Sequence, residues 1–552
     1  MSAGAALRWA QAVSGFARQA GCTVDEATEA LAESMSRRRF LAGAGAAATM
    51  AAFPLASVSA ARSVTHRATR HAEPVVGGRV VVVGGGIAGL GCAHRLWQRH
   101  RIRADIYEYD TVPGGRIRTL RGFFGDGQLV EQHAEFINPE HTATLSLASQ
   151  FGLTLDNADR YPPGTRARQE TMRFGGMAFS QAELNREWHD WGWQLFHDAA
   201  FTKAPWPTLY NRSTAWARTF DKMSVAEWID TYVPGGMASD FGHVCVAAVL
   251  DEFGGPADQQ SSLNLVYLLG QDASRANSVQ PHARPQLAGA DEKWHIHGGN
   301  DQLISGLVGG LPAGAVHLDQ QLIALRSTAG GSYSCTFQSG AAVQDVVANH
   351  VVLALPFTTL RLVDLGGVSI SPLHRRAISE EPLGTNSKLF LQFTDRVWNT
   401  EHWSGNVFCS GVVQGGWDPT IYQTGPAGIL AALPGGTEAD AWGRRYGLTT
   451  YTGRPPDAMV QDFLGNWDNL FPGVKDAYNG QSFYVWSPGD PHILGAYSYL
   501  KVGQYTGFNG IQGRREQNLH FAGEHTSINF QGYIEGALRS GYRCATEVAG
   551  RA

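Results

Sequence analysis

The segment that most constrains the fold is a run of valines leading straight into a glycine-rich turn, Val80-Val81-Val82-Val83-Gly84-Gly85-Gly86-Ile87-Ala88-Gly89. A continuous β-branched run is typical of a buried parallel strand. The spacing Gly84-x-Gly86-x-x-Gly89 lets the backbone approach a pyrophosphate, with the amino end of the next helix pointing at it. Alone, the motif is weak, because a glycine turn in another kind of α/β protein looks the same.

The residues that follow complete a βαβ unit. Residues 88–99 predict a helix and residues 102–107 a second strand. Glu108 ends that strand, 22 residues beyond Gly86, where a carboxylate accepts both hydroxyls of a ribose and disfavours a 2′-phosphate. We therefore predict an unphosphorylated adenine dinucleotide. Its first contacts are expected at Gly84, Gly86, Ile87, Ala88, Gly89 and Glu108.

Composition excludes several other classes of protein. The 552 residues exceed a single core and predict two or more domains. A net charge of −5 without a basic stripe gives no reason to expect nucleic acid as a partner. The six cysteines are scattered and lack Cys/His ligand spacing, so no metal site is predicted.

The first 60 residues resemble an export signal. Ser36-Arg37-Arg38-Arg39-Phe40-Leu41 precedes an Ala/Gly-rich apolar stretch, and small residues follow up to Ala60. This predicts a twin-arginine signal at 1–60, recognised by the twin-arginine translocation machinery and cleaved near Ala60. A transmembrane anchor is the alternative, but the stretch is short and weakly apolar for one. The mature protein is expected to be soluble, periplasmic or secreted; residues before Ser36 have no assigned role.

Four places in the chain, taken together, resemble the flavin-dependent amine oxidase family, which includes monoamine, polyamine and L-amino-acid oxidases. They are the first glycine turn with Gly114-Gly115-Arg116, the turn Gly298-Gly299-Asn300-Asp301, Lys388 within Thr385-Asn386-Ser387-Lys388, and the terminal segment Phe521–Ala537. The resemblance covers most of the chain after about residue 77 and implies FAD as the cofactor.

The resemblance also implies a fold class and domain limits. It predicts an α/β protein in which a Rossmann-like FAD-binding domain is interleaved with an α+β substrate-binding domain. The FAD-binding domain is expected at 77–138, 291–356 and 484–552, and the substrate-binding domain at 139–290 and 357–483. Local patterns predict helices at 224–231, 237–250 and 261–269, and strands at 316–325, 333–337, 346–355 and 388–393.

The family's catalytic residues carry over to three positions. Lys388 matches the lysine that holds a water against flavin N5, and Tyr497 and Tyr533 match two aromatic walls that guide an amine to the flavin. Arg116 is expected to bridge phosphate oxygens, and Glu524 to contact the ribityl chain. The backbone of Gly532 and Tyr533 would stabilise negative charge on the flavin. The remaining cofactor contacts implied are Gly115, Val346, Trp486 and Gly523.

The chain departs from the family pattern at two places. Ala496 stands where some members carry a cysteine bonded to the flavin, so FAD is expected to be noncovalent. The stretch Glu131–Ile137 lacks the arginine with which L-amino-acid oxidases grip a carboxylate. Glu135 there would attract an ammonium and repel a carboxylate, which favours amines. His133 is a second candidate substrate contact, with a packed, hydrogen-bonded histidine as the alternative.

The predicted reaction is FAD-dependent oxidation of an amine to an imine. Water then gives an aldehyde or ketone plus ammonia or a smaller amine, and electrons pass to O2, forming H2O2, or to a cytochrome-type protein. One alternative is an L-amino-acid oxidase that grips the carboxylate with Arg168, Arg173, Arg375 or Arg444. Another is a flavin-binding relay protein with no substrate of its own. Homodimer formation is left open.

Overall fold

The computed structural model describes residues 78–158, 169–270, 292–400 and 403–550, together with the single positions 17 and 24. The twin-arginine segment predicted within 1–60 lies outside the described residues, as does Arg168. No helix in the described ranges is both long and apolar enough to cross a bilayer.

The strands are given in chain order. They are β1 Val80–Val83, β2 Ala104–Tyr107, β3 Thr119–Leu120, β4 Val130–Glu131, β5 Leu155–Asn157, β6 Gln169–Phe174, β7 Met177–Ala178, β8 Trp294–Ile296, β9 Val316–His317, β10 Gln321–Ser327, β11 Tyr333–Ser339, β12 Ala342–Ala348, β13 His350–Leu353, β14 Asp364–Gly367, β15 Lys388–Phe393, β16 Trp403–Cys409, β17 Gly415–Trp417, β18 Gly428–Ala432, β19 Thr452–Gly453, β20 Tyr478–Val485 and β21 Leu519–Phe521.

The α-helices follow the same order. They are α1 Ile87–Arg95, α2 Thr142–Gln150, α3 Gln181–Glu187, α4 Trp193–His197, α5 Ala215–Asp221, α6 Val225–Tyr232, α7 Asp240–Phe253, α8 Ser262–Gly270, α9 Gln302–Gly309, α10 Phe357–Leu360, α11 Pro372–Glu380, α12 Val397–Thr400, α13 Gly436–Asp440, α14 Trp442–Tyr446, α15 Asp457–Leu470, α16 Gln504–Gly507 and α17 Ile534–Val548. The helices predicted at 224–231, 237–250 and 261–269 are confirmed as α6, α7 and α8.

The valine run forms the centre of a parallel sheet with the strand order β21-β13-β1-β2-β9. Val80 pairs with His350 on one side and with Ala104 on the other. Val81 and Val82 are fully buried because both faces of the sheet are covered. The predicted Rossmann-like α/β domain is therefore confirmed, and it contains strands from both ends of the chain.

A four-stranded sheet with the order β12-β11-β10-β14 stands beside the parallel sheet. The single strand predicted at 346–355 is wrong, because the chain turns at Asn349 and divides between two sheets. Val346 pairs with Cys335 in the four-stranded sheet, whereas Val351 lies in the parallel sheet. The strand β14, within the segment 357–483, also belongs here, where it pairs with β10.

The second domain is built on an eight-stranded sheet with the order β19-β20-β15-β18-β17-β16-β6-β7. The strand predicted at 388–393 is confirmed as β15, and all six of its residues are buried. It lies between β20 and β18, where Lys388 pairs with Val485 and Leu389 with Ala432. Lys388 therefore begins an interior strand.

The first and last helices of the described chain pack directly on each other. A Cβ on Gly541 of α17 would lie 2.1 Å from the carbonyl oxygen of Ala88 in α1, and one on Gly91 would lie 2.7 Å from the Leu538 side chain. Glycine at these positions lets the two helices approach closely. This packing brings the C-terminal segment back to the first glycine turn. The five cysteines in the described ranges are buried and free.

Candidate active site

The glycine turn connects β1 to α1 in a conformation that larger residues would not allow. Gly84 has a φ of +105°, and a Cβ there would lie 2.6 Å from the carbonyl oxygen of Ala354. A Cβ on Gly89 would lie 2.0 Å from the carbonyl oxygen of Gly84, so this glycine permits close packing of the helix on the turn. Gly86 precedes the first residue of α1 and leaves the helix end open to a cavity.

Glu108 stands at the end of β2 and faces the same cavity. Its carboxylate accepts backbone hydrogen bonds from Gly85 and, at 2.8 Å, from Asp110. Burial raises the pKa of Glu108, although these two N–H groups oppose the shift. The bonds fix the carboxylate at the end of the strand where a ribose is expected.

Arg116 connects the front of the chain to its end. Its Nη1 donates to Glu524 Oε1 at 2.8 Å and to the carbonyl oxygen of Ala496 at 2.6 Å. Sequence reasoning predicted a bridge to phosphate oxygens for this side chain but did not anticipate the ion pair. The Arg116 side chain lines the cavity and is 21% exposed.

Glu524 is a buried carboxylate with donors on several sides. Besides Arg116, it accepts hydrogen bonds from the Ser498 hydroxyl at 2.6 Å and from the Gly532 N–H at 2.8 Å. Burial alone would raise the pKa of Glu524, but the charge of Arg116 and the hydrogen bonds outweigh it and the pKa is lowered. Glu524 is therefore an anion that fastens the terminal segment around the cavity.

The backbone N–H groups of Gly532 and Tyr533, predicted to stabilise negative charge on the flavin, have acceptors within the protein. The Gly532 N–H donates to Glu524, and the Tyr533 N–H donates to the carbonyl oxygen of Phe530 at 3.2 Å. The helix α17 begins one residue later, at Ile534, which lines the cavity.

The two predicted tyrosines, Tyr497 and Tyr533, line the same cavity. Gly532, which directly precedes Tyr533, lies close to Tyr497: a Cβ added to this glycine would be 3.9 Å from the Tyr497 Cβ. The Tyr497 hydroxyl donates to the carbonyl oxygen of Asp251, and the Tyr533 hydroxyl donates to the Glu252 carboxylate. Burial raises the pKa of Tyr497 well above its usual value, so its hydroxyl remains protonated.

Lys388 is 7% exposed and its ammonium lies in the cavity wall. It donates to the carbonyl oxygens of Glu131 at 3.1 Å and His133 at 2.9 Å, and to Glu135 Oε2 at 2.8 Å. The predicted substrate role of Glu135 is not supported, because Lys388 compensates its charge. Burial, reinforced by Lys388 and nearby arginines, lowers the pKa of His133 to about 3, so this imidazole is neutral.

A cavity of about 490 Å³ joins these groups, with residues from both domains in its wall. The predicted site residues that line it are Gly84, Gly86, Ile87, Ala88, Glu108, Gly115, Arg116, His133, Glu135, Lys388, Tyr497, Gly523, Glu524, Gly532 and Tyr533.

Three predicted cofactor contacts do not line this cavity. Val346 is buried in the core beneath the four-stranded sheet, since its strand leaves the parallel sheet. Trp486 packs against Gly443, and its Nε1 donates to the carbonyl oxygen of Ala439 at 3.1 Å. Gly89 acts through helix packing rather than through the cavity surface.

Sequence reasoning missed several wall residues that have no local motif. Leu322, Leu355 and Thr359 line the wall, with Leu355 beside Gly84, and Asp490 and His492 come from the loop after β20. His492 Nδ1 lies 2.9 Å from Asp490 Oδ1, a hydrogen bond that raises the histidine's pKa. His525 follows Glu524 directly, and its position in the terminal motif was the signal that could have identified it.

The arginines considered as a carboxylate grip lie elsewhere. Arg173 donates to the carbonyl oxygen of Asn469, and Arg375 donates to that of Val368 at 2.6 Å. Neither they nor Arg444 line the cavity, while Arg168 is outside the described residues. The arginines that the described wall does contain, Arg116 and Arg118, pair with Glu524 and Asp110.

A Rossmann-like domain whose glycine turn shares one cavity with a distant C-terminal segment defines a dinucleotide-binding oxidoreductase. A family model described as flavin containing amine oxidoreductase matches residues 87–549, and the chain belongs to that family. The protein is therefore a flavoprotein oxidoreductase that acts on amines, and its cofactor is FAD.

Individual relatives are distant but match over most of their length. Nicotine dehydrogenase of Pseudomonas putida (strain DSM 28022 / S16) is 25% identical over 538 residues, covering 94% of this chain and 97% of the relative. The flavin-containing amine oxidase B of Cavia porcellus is 23% identical over 491 residues and 85% of each chain. The structure of cyclohexylamine oxidase from Brevibacterium oxydans IH-35A is 18% identical and superposes with a TM-score of 0.70, covering 86% of this chain and 99% of that one. It shows the same fold.

The residues of the cavity fit an FAD. Gly84, Gly86 and Gly115 keep side chains out of the space beside the start of α1, where a pyrophosphate binds most readily. Glu108 supplies a ribose acceptor. Both ring nitrogens of His525 are buried in the wall without a hydrogen-bond partner among the described residues. Burial lowers the pKa of His525 to about 4, so this imidazole is neutral.

Proposed function

We propose that the protein oxidises a cationic amine to an imine, which water hydrolyses to a carbonyl compound plus ammonia or a smaller amine. The observation that carries this proposal is the single cavity that joins the glycine turn to Lys388, Tyr497 and Tyr533. Bound FAD, held noncovalently because Ala496 offers no thiol, supplies the acceptor for two electrons from the amine Cα–H.

The tyrosine rings direct the substrate toward the cofactor. Their hydroxyls are occupied by Asp251 and Glu252, so the aromatic rings rather than the hydroxyls define the passage. The faces of such rings attract an ammonium electrostatically. An amine must lose its ammonium proton before it is oxidised, and the buried cavity favours the neutral form.

The site favours amines over amino acids. No arginine of the described wall stands free of a carboxylate partner, and the candidate grips Arg173, Arg375 and Arg444 are directed elsewhere. A substrate carboxylate would lose hydration here without gaining a bidentate cation. This contrast supports amine oxidation over the alternative of an L-amino-acid oxidase.

The test is anaerobic mixing of the purified yellow protein with amines and amino acids while the flavin absorbance is followed. We expect a set of amines to bleach the flavin and amino acids to leave it oxidised. Bleaching by amino acids alone would overturn the amine assignment, and no bleaching by either class would favour the relay protein. Admitting O2 then separates the acceptors, because only transfer to O2 yields H2O2.

Lys388→Met tests the contribution of the wall lysine to this reaction. We expect slower flavin reduction or reoxidation with FAD still bound, because the change removes a buried cation but leaves the glycine turn intact. Lys475→Met, on an exposed lysine, is the matched control and is expected to be silent. Unchanged kinetics in the Lys388 variant would contradict the assigned role.

We also propose export through the twin-arginine pathway. The pattern Ser36-Arg37-Arg38-Arg39-Phe40-Leu41 with its apolar stretch supports this, and the route allows the cofactor to be inserted before export. Replacing Arg37 and Arg38 by Lys should retain the protein in the cytoplasm, as measured by cell fractionation. Equal export of the variant would overturn this proposal.

A further inference from the structure

The ammonium of Lys388 is saturated by protein acceptors. An ammonium has three donor hydrogens, and three acceptors surround this one: the carbonyl oxygens of Glu131 and His133 and the carboxylate of Glu135, at 2.8 to 3.1 Å. The Lys388 and Glu135 side chains are only 7% and 4% exposed. Because all three donor hydrogens of Lys388 have protein acceptors, none is left over to hold a water molecule.

The carboxylate of Glu135 is held from its other side as well. Its Oε1 accepts a hydrogen bond from Trp417 Nε1 at 2.9 Å, while the ammonium of Lys388 lies 5.1 Å from the centre of the Trp417 ring. One tryptophan therefore stabilises both members of the pair, the anion through its N–H and the cation through its ring. We call Lys388, Glu135 and Trp417 the lysine clamp.

We propose that Glu135 is a positioning residue that holds Lys388 as a fixed ammonium and cancels its charge at the wall of the cofactor cavity. A buried charge without a partner is costly, whereas a carboxylate oxygen 2.8 Å from the ammonium compensates that cost for both members of the pair. The two carbonyl oxygens and the Trp417 ring still favour the cation if the carboxylate is lost. The inference rests on the proposed function in that FAD must occupy this cavity.

The clamp has a measurable consequence for the midpoint potential of the bound flavin. A net positive charge near a redox centre favours added electrons, and a net negative charge opposes them. Glu135→Gln leaves Lys388 uncompensated and should raise the potential. Lys388→Met leaves Glu135 uncompensated and should lower it. The double variant restores neutrality and should return toward the wild-type value.

The potentials are measured by reductive titration of each holoprotein against reference dyes at one pH. Glu135→Asp retains the charge and is expected to shift the potential less than Glu135→Gln does. Glu547→Gln removes a half-buried carboxylate, one paired with Arg543 and His520 away from the cavity, and should leave the potential unchanged. Single variants that shift the potential in the same direction, or that match Glu547→Gln, would overturn the proposal.

A second readout does not depend on flavin chemistry. In urea unfolding, each single variant should destabilise the protein more than the double variant does, because each leaves one buried charge unpaired. Additive losses would show that the pair is not coupled and would overturn the clamp. If amines fail to bleach the flavin while this coupling and the opposed potential shifts persist, the proposed substrate is wrong and the clamp stands.

Discussion

Tyr533 donates a hydrogen bond from its phenolic hydroxyl to the carboxylate of Glu252, which lies 281 residues earlier in the chain. Tyr497 donates in the same way to the backbone carbonyl of Asp251. Because Asp251 and Glu252 are consecutive residues in the last turn of α7, one helix end holds both aromatic rings. The end of this helix therefore positions both tyrosines in the cavity wall.

Tyr533→Phe should lower kcat/KM by about 10-fold or more, since a hydrogen bond to a charged group is worth roughly 1.5 to 3 kcal/mol. The ring remains, but its anchor to Glu252 is lost. Steady-state kinetics with the best amine substrate measure the effect. Glu252→Gln keeps an acceptor for the hydroxyl, so it should stay near wild type while Glu252→Ala should resemble Tyr533→Phe. A large loss in Glu252→Gln would mean that the charge of Glu252 itself acts on the substrate.

Gly254 follows the last residue of α7 and has a left-handed φ of +63°. Beside it, the Asn386 side-chain amide donates to the carbonyl oxygen of Leu250 in the last turn of this helix. A Cβ on Gly254 would lie 1.7 Å from Asn386 Oδ1. We expect Gly254→Ala to cost about 3 kcal/mol or more of the free energy of unfolding and to reduce activity, because the residues that hold the tyrosines shift.

The matched control for this change is Gly447→Ala. Gly447 ends α14 with a φ of +62°, and nothing lies within 4 Å of its added Cβ. This variant should cost only about 1 kcal/mol, the strain of a left-handed alanine. Urea titrations compare the two, and equal losses would contradict a special role for the end of α7.

Glu524→Gln should weaken FAD binding by about 10- to 100-fold, since charge-assisted hydrogen bonds are each worth roughly 1.5 to 3 kcal/mol. The change removes the charge that pairs Arg116 and orders Ser498 and Gly532. Titrating apoprotein with FAD and following flavin fluorescence gives the Kd. As a control, Glu438→Gln breaks the ion pair with Arg445 outside the cavity and should leave the Kd unchanged. Equal Kd values for the two variants would contradict a role of Glu524 in FAD binding.

Stability should fall as the pH is lowered from about 6.5 toward 4. Burial lowers the pKa of His525 from 6.5 to about 4, so in this range the unfolded chain binds a proton that the folded protein does not. The group contributes up to about 3 kcal/mol to that loss. Urea titrations across the range should show a shallower decline for His525→Gln than for wild type. His297→Gln, on a side chain that is 71% exposed, should decline like wild type.

The cofactor half of the site was predictable because its signals are local. The turn at Gly84–Gly89, Glu108 after a strand and Tyr533 before a helix each sit within a short motif, and all but Gly85 and Gly89 line the cavity. The predicted cofactor contact of Trp486 was wrong because the position of its side chain depends on α14, where Gly443 leaves room for the indole. The predicted cofactor contact of Val346 was wrong because the chain turns at Asn349, which places Val346 in the four-stranded sheet. Strand pairing determines this placement, and the local sequence pattern does not reveal it.

The sequence by itself determined that the chain has a parallel βαβ unit, a dinucleotide site and a terminal segment with a flavin enzyme's motif, since glycine spacing and strand hydrophobicity act over a few residues. Only the tertiary structure decided what surrounds the charges. It paired Lys388 with Glu135 across 253 residues and Arg116 with Glu524 across 408. Such pairings depend on which strands and helices pack together, because a buried charge needs an oppositely charged partner and the packing determines which side chain is close enough to be that partner.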